Sequence, residues 1–338
     1  MIRKYFLLLS IALNYSLSGI SQDLHFSQFF NSPLSTNPAN TGFIPDADYR
    51  IGAHFRSQYS NIMSLPYRTV SIFGDAQLMR EQLPNGWLGV GGLLLSDVAG
   101  SGSLRSNKIY GSVAYHQMLG NNSLLSAGFN LGWVNKRIDL SSLKFPDQFD
   151  GRFFDNRLPT SVVFSNTGVS YFDLQAGLNY AYYPTDKIYI NAGYSIHHVN
   201  NAQESFFNDP SSRGRIAMRH IGFVNAVVKI SDEIILSPNI YYTNQSKSSS
   251  LMGGMLLNYN LSAFGNKQLI GGLYYRNKDA FIPMLGFQLG QLKFTFSYDA
   301  TMSSLRNFNQ SRGASEFSLI KSGMYSKSKD RQSLCPTF

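Results

Sequence analysis

Hydrophobic and polar residues alternate along most of this chain. In Leu292–Asp299 the even positions are apolar or aromatic, whereas every odd position is polar. The same period of two runs through Leu125–Val134, Asp173–Tyr182 and Ile188–His197, with few exceptions. Successive side chains of a β-strand point to opposite faces, so the pattern predicts strands with one apolar and one polar face.

About fourteen such segments follow one another, and most span roughly 9 to 14 residues. Strands of soluble proteins average roughly 5 to 6 residues, whereas tilted strands that cross a bilayer need about 9 to 11. The length therefore favours membrane-spanning strands. The predicted strands begin near Tyr49, Tyr67, Gly86, Leu104, Ser123, Tyr171, Ile188, Ile216, Glu233, Ser249, Gln268, Ala280, Leu292 and Gly313.

The connections between the predicted strands alternate between short and long. Turn-forming residues mark short connections at 120–121, 184–187, 231–232, 265–266 and 290–291. The longer ones are Asp139–Val169, Asn200–Gly214 and Ala300–Arg312, and only Asn277–Asp279 is predicted to be short on the long-loop side. This asymmetry is typical of an outer-membrane barrel with tight periplasmic turns and longer outer loops.

Together these features predict an all-β fold, a transmembrane antiparallel outer-membrane β-barrel of about 14 strands. Tyr67, Tyr182 and Tyr298 lie at strand ends, where aromatic side chains favour the membrane interface. The alternative is a soluble sandwich or propeller. A polar inner face combined with an apolar outer face would leave such a fold without a core.

Composition supports the membrane prediction. Charged residues are only 14% of the 338 residues and aromatic residues also reach 14%, against roughly 25% charged residues in soluble domains. Mean hydropathy is slightly negative, and no internal run approaches the roughly 20 apolar residues of a membrane helix. The net charge of +9 is spread over loops and tail, which argues against a nucleic-acid partner.

The N-terminus resembles an export signal. Arg3 and Lys4 precede a mostly apolar stretch, and Gly19-Ile20-Ser21 offers the small residues of a cleavage site. We expect residues 1–21 to be a cleavable signal peptide. An uncleaved anchoring helix is the alternative, but about 13 apolar residues are too few to span comfortably.

Two further segments flank the predicted barrel of residues 49–320. Residues 22–48 contain several Asn and Pro residues that break strands, together with Phe26, Phe29 and Phe30. We expect an extended segment packed into the lumen or against the periplasmic mouth. The basic tail, residues 321–338, is expected in the periplasm, as are both chain termini.

No pattern for catalysis, a cofactor or a metal is complete in the sequence. Gly89–Gly92 and Gly100–Gly102 lack the spacing and lysine of a phosphate loop, and His197 and His198 are expected on opposite strand faces. Asp97, Asp147, Asp150 and Asp155 lack the spacing of a calcium loop. Cys335 has no partner for a disulfide, because it is the only cysteine. We expect no enzymatic activity.

Several motifs resemble the PorP/SprF family, membrane proteins of the type IX secretion system of Bacteroidetes. Its usual Gln-Trp pair is Gln58-Tyr59 here, and the long connection Asp139–Val169 looks particular to this chain. The matching motifs are Gln22-Asp23, Phe26-Ser27-Gln28-Phe29-Phe30, Asn37-Pro38-Ala39, Arg56-Ser57-Gln58, Pro66-Tyr67, Asp97-Val98-Ala99-Gly100 with Gly102, Phe145 with Asp147-Gln148, Phe172-Asp173-Leu174 with Gly177, and Cys335-Pro336.

The resemblance implies an integral outer-membrane component that supports export or surface anchoring of cargo such as gliding adhesins. Its implied partners are outer-membrane lipid, periplasmic secretion components and adhesin-like cargo. Candidate plug or partner contacts are Phe26, Gln28, Phe29, Phe30, Asn37, Pro38 and Cys335. The rivals are a general diffusion porin or small-molecule channel, and a secreted binding module.

Overall fold

The computed structural model describes residues 24–325 except 46, 61, 64, 101–102, 144, 156, 163, 165, 207–213 and 263–264. Fourteen antiparallel strands form one closed barrel, in which each strand pairs with its neighbours in sequence and β1 pairs with β14. The predicted barrel of about fourteen strands is therefore confirmed. The strands are β1 Tyr49–Gln58, β2 Tyr67–Leu78, β3 Gly86–Ala99, β4 Leu104–Met118, β5 Ser123–Arg137, β6 Gly168–Thr185, β7 Ile188–His197, β8 Arg219–Lys229, β9 Ile234–Gln245, β10 Ser248–Asn260, β11 Lys267–Arg276, β12 Ala280–Leu289, β13 Leu292–Thr301 and β14 Arg312–Gly323.

The predicted strand starts agree with the structure to within three residues. The largest differences are in β6, which begins at Gly168 opposite Arg137, and in β8, which begins at Arg219. Ile216 precedes β8 and its backbone N–H donates instead to Ala202 of the long connection. β14 continues to Gly323, three residues beyond the expected barrel end, because Tyr49 pairs with Gly323.

The short connections lie at one end of the barrel, which we call the short-turn end, and the opposite end is the long-loop end. Besides residues 277–279, the structure has two more short connections at the long-loop end, at 100–103 and 246–247. The prediction that 277–279 alone would be short there is wrong. Ser246 adopts a left-handed φ of 54° that closes a two-residue turn, within a polar run that resembles a longer loop in sequence.

The outer face of the barrel is apolar. In β5 the alternating residues Leu125, Phe129, Leu131 and Trp133 are 43%, 42%, 51% and 44% exposed, whereas Ser126 and Asn130 between them are buried. Aliphatic and aromatic side chains therefore project outward around a closed sheet that has no free edge. This arrangement satisfies the backbone and suits lipid contact.

The inner face is more mixed than the sequence pattern predicts. Polar side chains such as Thr295, Ser297 and Asp299 point inward from β13. The inner faces of β8–β12, however, contribute a buried apolar cluster. Phe29, from the segment before β1, packs into this cluster, whose strand members are Ile221, Phe223, Tyr241, Met252, Leu256, Ile270, Tyr274, Ala280, Ile282 and Met284.

Helical structure is minor in the described chain. It comprises two short α-helices, α1 (Pro33–Thr36) and α2 (Arg306–Asn309), and four 3-10 turns at Phe29–Asn31, Pro38–Asn40, Leu140–Ser142 and Pro146–Gln148. Among the described residues, no helix is long and apolar enough to cross a membrane.

The outward apolar face gives a first prediction. Leu131→Arg should lower the free energy of unfolding in lipid vesicles by about 2–4 kcal/mol, because the cation would face hydrocarbon near mid-strand. Urea unfolding of the vesicle-inserted protein measures this. Leu305→Arg, in the connection 302–311, is the matched control and should be close to neutral. Equal stability of both variants would argue that Leu131 faces water.

Candidate functional site: the lumen and its N-terminal segment

The described residues that precede β1 lie inside the barrel. We call residues 24–48 the lumen segment. It runs from Leu24, close to the long-loop end, to Asp48, whose backbone N–H donates to the carbonyl of Gly323 at the short-turn end (2.8 Å). It forms three short helical turns and is not extended, because Pro33 and Pro38 occupy first helical positions and Asn37 caps the last turn.

An ionic cluster on the barrel wall holds the start of the lumen segment. The backbone N–H groups of Ser27 and Gln28 donate to the Glu316 carboxylate at 2.7 and 3.0 Å. Ser27 Oγ donates to Asp299 at 2.9 Å. Arg56 bridges both carboxylates, since its Nη2 lies 3.0 Å from Asp299 and its Nη1 contacts Glu316.

The carboxylate of Glu316 is fully buried and meets only donors from several directions. His54 Nε2 lies 3.5 Å from its second oxygen, and Arg276 joins the cluster through Asp299 at 3.1 Å. Buried carboxylates are tolerated when cations and N–H donors surround them in this way. The lumen segment supplies part of that compensation, so the wall and the segment stabilise each other.

Amide and hydroxyl side chains continue the contact with β13 and β14. Gln28 Nε2 donates to Ser297 Oγ at 2.9 Å, and Asn31 Nδ2 donates to Thr295 Oγ1 at 2.7 Å and Ser318 Oγ at 3.0 Å. Each of these strand residues occupies the inward polar face of its strand. The polar inner face therefore binds the segment.

The phenylalanines of the lumen segment pack against wall aromatics. Phe26 stacks on His54 with ring centroids 4.3 Å apart, and Phe29 packs on Tyr241 at 4.8 Å. Phe30 is only half-buried and stacks on Tyr274 at 5.7 Å. Burial of aromatic surface of this kind is a strong contribution to docking.

Glycines let the Asn37-Pro38 turn approach the wall. A Cβ on Gly128 would collide with Pro38, and one on Gly177 would collide with the side chain of Asn37. Asn37 is fully buried, and its Nδ2 donates to the Leu178 carbonyl at 2.9 Å. The close approach allows this hydrogen bond into the sheet.

Polar wall residues hold the end of the lumen segment. The Gly42 N–H donates to Asp75 Oδ2 at 2.8 Å, and Trp87 Nε1 donates to the Gly42 carbonyl at 2.9 Å. His116 Nε2 lies 2.8 Å from the Thr41 carbonyl. Gly89 lies within a glycine-rich run of β3 and contacts Thr41 and Gly42. The absence of a side chain at Gly89 therefore allows the lumen segment, and not a neighbouring strand, to approach the wall closely.

Six of the seven candidate residues named from the sequence lie in this segment: Phe26, Gln28, Phe29, Phe30, Asn37 and Pro38. All but Phe30 are buried. Cys335 lies outside the described residues. The sequence motifs did not single out Asp75, Asp299 and Glu316, the acids of the wall that bind Gly42, Ser27 and Gln28 of the lumen segment. Each is an acid on the inward face of an alternating strand, which is a recognisable signal.

The histidine pair differs from its prediction. His197 ends β7, and His198 turns away from the strand with a left-handed φ of 58°, so both imidazoles are buried. His198 Nδ1 lies 2.8 Å from Asp173. The expectation that the two side chains point to opposite faces is wrong, because His198 no longer has strand geometry.

The acids of the connection between β5 and β6 bind neighbouring loop residues. Asp147 accepts hydrogen bonds from Ser161 N (2.6 Å) and from the Thr160 hydroxyl, and the Ser161 N–H is the main cause of its lowered pKa. The Phe153 N–H likewise lowers the pKa of Asp150. Among the described residues, no group of three His, Cys, Asp or Glu side chains could hold a metal ion.

A polar cavity of about 1140 Å³ lies above the lumen segment at the long-loop end. We call it the vestibule. Leu24 and His25 lie at its floor, and most of its other lining residues come from strand ends and the long connection 198–218. Its charged lining residues are Arg56, Asp97, Lys108, Lys136, Glu204, Arg215, Lys247, Arg276 and Asp279.

A family model described as "Type IX secretion system membrane protein PorP/SprF" matches residues 18–320, nearly the whole chain. The chain belongs to the PorP/SprF family. The family resemblance inferred from the sequence motifs is thus confirmed. No curated protein matches the chain significantly.

Solved structures add support for the fold of this PorP/SprF protein. The toluene transporter TodX of P. putida shares 11% identity with a TM-score of 0.52, over 88% of this chain and 95% of that one. A FadL homologue of Pseudomonas aeruginosa shares 11% identity with a TM-score of 0.52, over 84% of this chain and 91% of that one. At such identities the likeness establishes an outer-membrane barrel fold alone.

The ionic cluster gives a second prediction. Glu316→Gln should lower the free energy of unfolding by about 3–5 kcal/mol, because it removes one of the two carboxylates that pair with Arg56 and leaves the buried site with an excess of positive charge. The measurement is urea unfolding in vesicles. Glu233→Gln, in the turn 230–233, removes an exposed carboxylate and is the control. If both variants match the parent protein, the cluster does not hold the segment.

Proposed function

We propose that this chain is a non-enzymatic outer-membrane component of the type IX secretion system that acts through protein contacts. In this proposal, the barrel supports export or surface anchoring of particular cargo, such as gliding adhesins. Its outer loops and periplasmic ends bind the partners. Membership of the PorP/SprF family supports the secretion role, and the lumen contacts support a binding mechanism.

One observation carries the proposal of a scaffold. The lumen segment is held along its length, from the Glu316 contacts of Ser27 near one end to the Asp75 contact of Gly42 near the other. A barrel of this size is wide enough for an aqueous channel unless something fills it. We therefore propose that the segment closes the lumen and that the barrel presents surfaces to its partners.

The partners we propose are periplasmic secretion components and adhesin-like cargo. With short turns on the periplasmic side, β14 ends there, and Tyr325 N donates to Asp48 at 2.9 Å at that mouth. The basic residues of 326–338 would then follow into the periplasm, where they could bind acidic partner surfaces. The N-terminal end is different, because Leu24 lies toward the long-loop end. A periplasmic N-terminus stays a prediction for residues outside the described chain.

The second candidate function is a small-molecule outer-membrane channel, the alternative also named from the sequence. TodX is a toluene transporter, and its barrel is similar in fold to this chain. A hydrocarbon channel would favour an apolar path, whereas nine charged side chains line the vestibule of this protein. The lining therefore favours the scaffold over a hydrocarbon channel.

Closure of the lumen is tested by single-channel conductance. The parent protein should show no steady open pore in planar bilayers. Gly128→Leu should conduct, because the new side chain would displace Pro38 and Ala39 from the wall. Gly111→Leu is the matched control: it lies on the outward face of a neighbouring strand with nothing near its Cβ, and should stay closed. A steadily conducting parent protein would favour the channel.

The secretion role is tested by partner recovery. Affinity purification of the chain from detergent-solubilised outer membrane, followed by mass spectrometry, should recover other type IX components. Removing residues 326–338 should reduce recovery of the periplasmic ones. A variant with Lys327, Lys329 and Arg331 changed to Gln separates charge from length. Unchanged recovery would remove the tail from the binding model, and absence of type IX components from the parent sample would contradict the role itself.

A further inference from the structure

Three arginines project from the outer face of the barrel close to the long-loop end. They are Arg68 of β2, Arg105 of β4 and Arg137 of β5, and each is exposed. The strand register places them in one row, because Arg68 lies opposite Val98 of β3 and Val98 lies opposite Arg105. Arg105 in turn lies directly opposite Arg137. Like charges that face each other on neighbouring strands repel, so this row requires an explanation.

No acid among the described residues pairs with the arginines of this row, and their guanidinium groups form no hydrogen bond within that part of the chain. The nearby acids are directed elsewhere. Asp139, two residues after Arg137, accepts hydrogen bonds from the N–H and the hydroxyl of Ser141 at 3.0 and 2.7 Å. Asp97 of β3 faces the lumen, where Thr69 Oγ1 donates to it at 2.6 Å. The row is therefore open to an anion from outside the chain.

The positive charge is confined to one sector of the barrel. In the described strands, the outward positions of β7–β14 and β1 carry only two cations, Lys267 and Lys321, and both lie at the short-turn end. Toward the long-loop end, outward cations are therefore found only on β2, β4 and β5. A general attraction to the membrane surface would not require this concentration, so it indicates a localised site.

Two further rows lie next to the arginines on the same outer face, each one step closer to mid-strand. The first is polar: Ser96 Oγ donates to Asn107 Oδ1 and Asn135 Nδ2 donates to Ser170 Oγ, both at 2.7 Å. Asn107 lies opposite Asn135, so the two pairs are continuous. The second row is apolar and exposed, and consists of Ile72, Leu94, Ile109, Trp133 and Phe172. The face thus changes from cationic to hydrogen-bonding to apolar, which is the order of phosphate, ester groups and acyl chains in a lipid.

We propose that this outer face of β2–β6 binds a lipid with a phosphorylated headgroup, in the leaflet on the long-loop side. Neighbouring strands are about 4.8 Å apart, so the long side chains of Arg105 and Arg137 can reach one phosphate. A guanidinium group donates two parallel hydrogen bonds to phosphate oxygens. Arg68 approaches the same headgroup from its other side, and the acyl chains lie along the apolar row. The site goes beyond the proposed secretion role and requires only that the outer face contacts lipid.

Trp133 provides the reporter for a test, because it is 44% exposed in the apolar row, whereas Trp87, the other tryptophan, is 1% exposed. The full mature protein is reconstituted into phosphatidylcholine vesicles that contain phosphatidic acid with brominated acyl chains, which quench a tryptophan that they contact. Parallel vesicles contain brominated phosphatidylcholine at the same fraction. We expect phosphatidic acid to be enriched at Trp133 by at least about fivefold over phosphatidylcholine, since each cation near the surface attracts anionic lipid.

Variants assign the enrichment to the arginine row. Arg105→Gln combined with Arg137→Gln removes the two facing cations and should make the two brominated lipids quench almost equally. Lys267→Gln combined with Lys321→Gln is the matched control, because it removes the same charge from the outer face at the short-turn end, and should retain the enrichment. Heat-modifiable mobility on gels shows that each variant folds. If the double arginine variant does not fold, Arg137→Gln alone should still lower the enrichment.

Several outcomes would overturn the proposal. Equal quenching of the parent protein by the two brominated lipids would do so, as would unchanged enrichment in the folded arginine variants. An equal loss in the lysine control would assign the effect to net charge alone. Excess inorganic phosphate, compared with sodium chloride at the same ionic strength, distinguishes the source of the phosphate group. Enrichment that persists supports a lipid ligand, whereas its loss would show that the row binds free phosphate and would contradict the lipid assignment.

Discussion

Closure of the sheet is the constraint on which the rest of this structure depends. Backbone N–H and C=O groups in hydrocarbon must be paired within the protein, and the pairing of β1 with β14 leaves no strand edge unpaired. Once the barrel closes, every strand has one face toward lipid and one toward the lumen. The alternation of apolar and polar residues along each strand therefore follows from the contact of one face with lipid and of the other with the lumen.

A closed barrel of fourteen strands then has an interior to fill. Its own side chains fill part of it, as the apolar cluster around Tyr274 and Met284 indicates. The lumen segment occupies much of the remainder, and its contacts are of three kinds: buried ion pairs at Glu316, aromatic packing at Phe29, and close backbone approach at Gly128 and Gly177. Several inward polar residues that look solvated in sequence, such as Thr295, Ser297 and Glu316, are thus partners of residues 24–48.

Much of the fold could be predicted because strand periodicity is a local signal. The number of strands and the outward side of Leu131 and Trp133 depend only on neighbouring residues. The partners of Ser27 and Gln28 could not be predicted, because Glu316 is 289 residues from Ser27 in the sequence. Their contact depends on how β1 and β14 pair when the barrel closes, and the sequence pattern does not specify that register. Two residues with left-handed backbone conformations could not be recognised from the sequence pattern either. The left-handed φ of His198 reverses the expected direction of its side chain, and that of Ser246 forms a two-residue turn in a polar run.

The most direct test of the account is a cross-link between the lumen segment and the wall in native outer membrane. With Cys335 changed to Ser, Asn31→Cys and Thr295→Cys would place two thiols where the side chains now hydrogen-bond at 2.7 Å. We predict that a short bifunctional thiol reagent joins them, so that the N-terminal and β13 fragments stay together after cleavage of a long loop. Leu285→Cys with Asn31→Cys should not join, because Leu285 is 68% exposed on the outer face of β12 and Asn31 lies on the inner side of the wall. Free fragments from the first pair would contradict a lumen filled by residues 24–48.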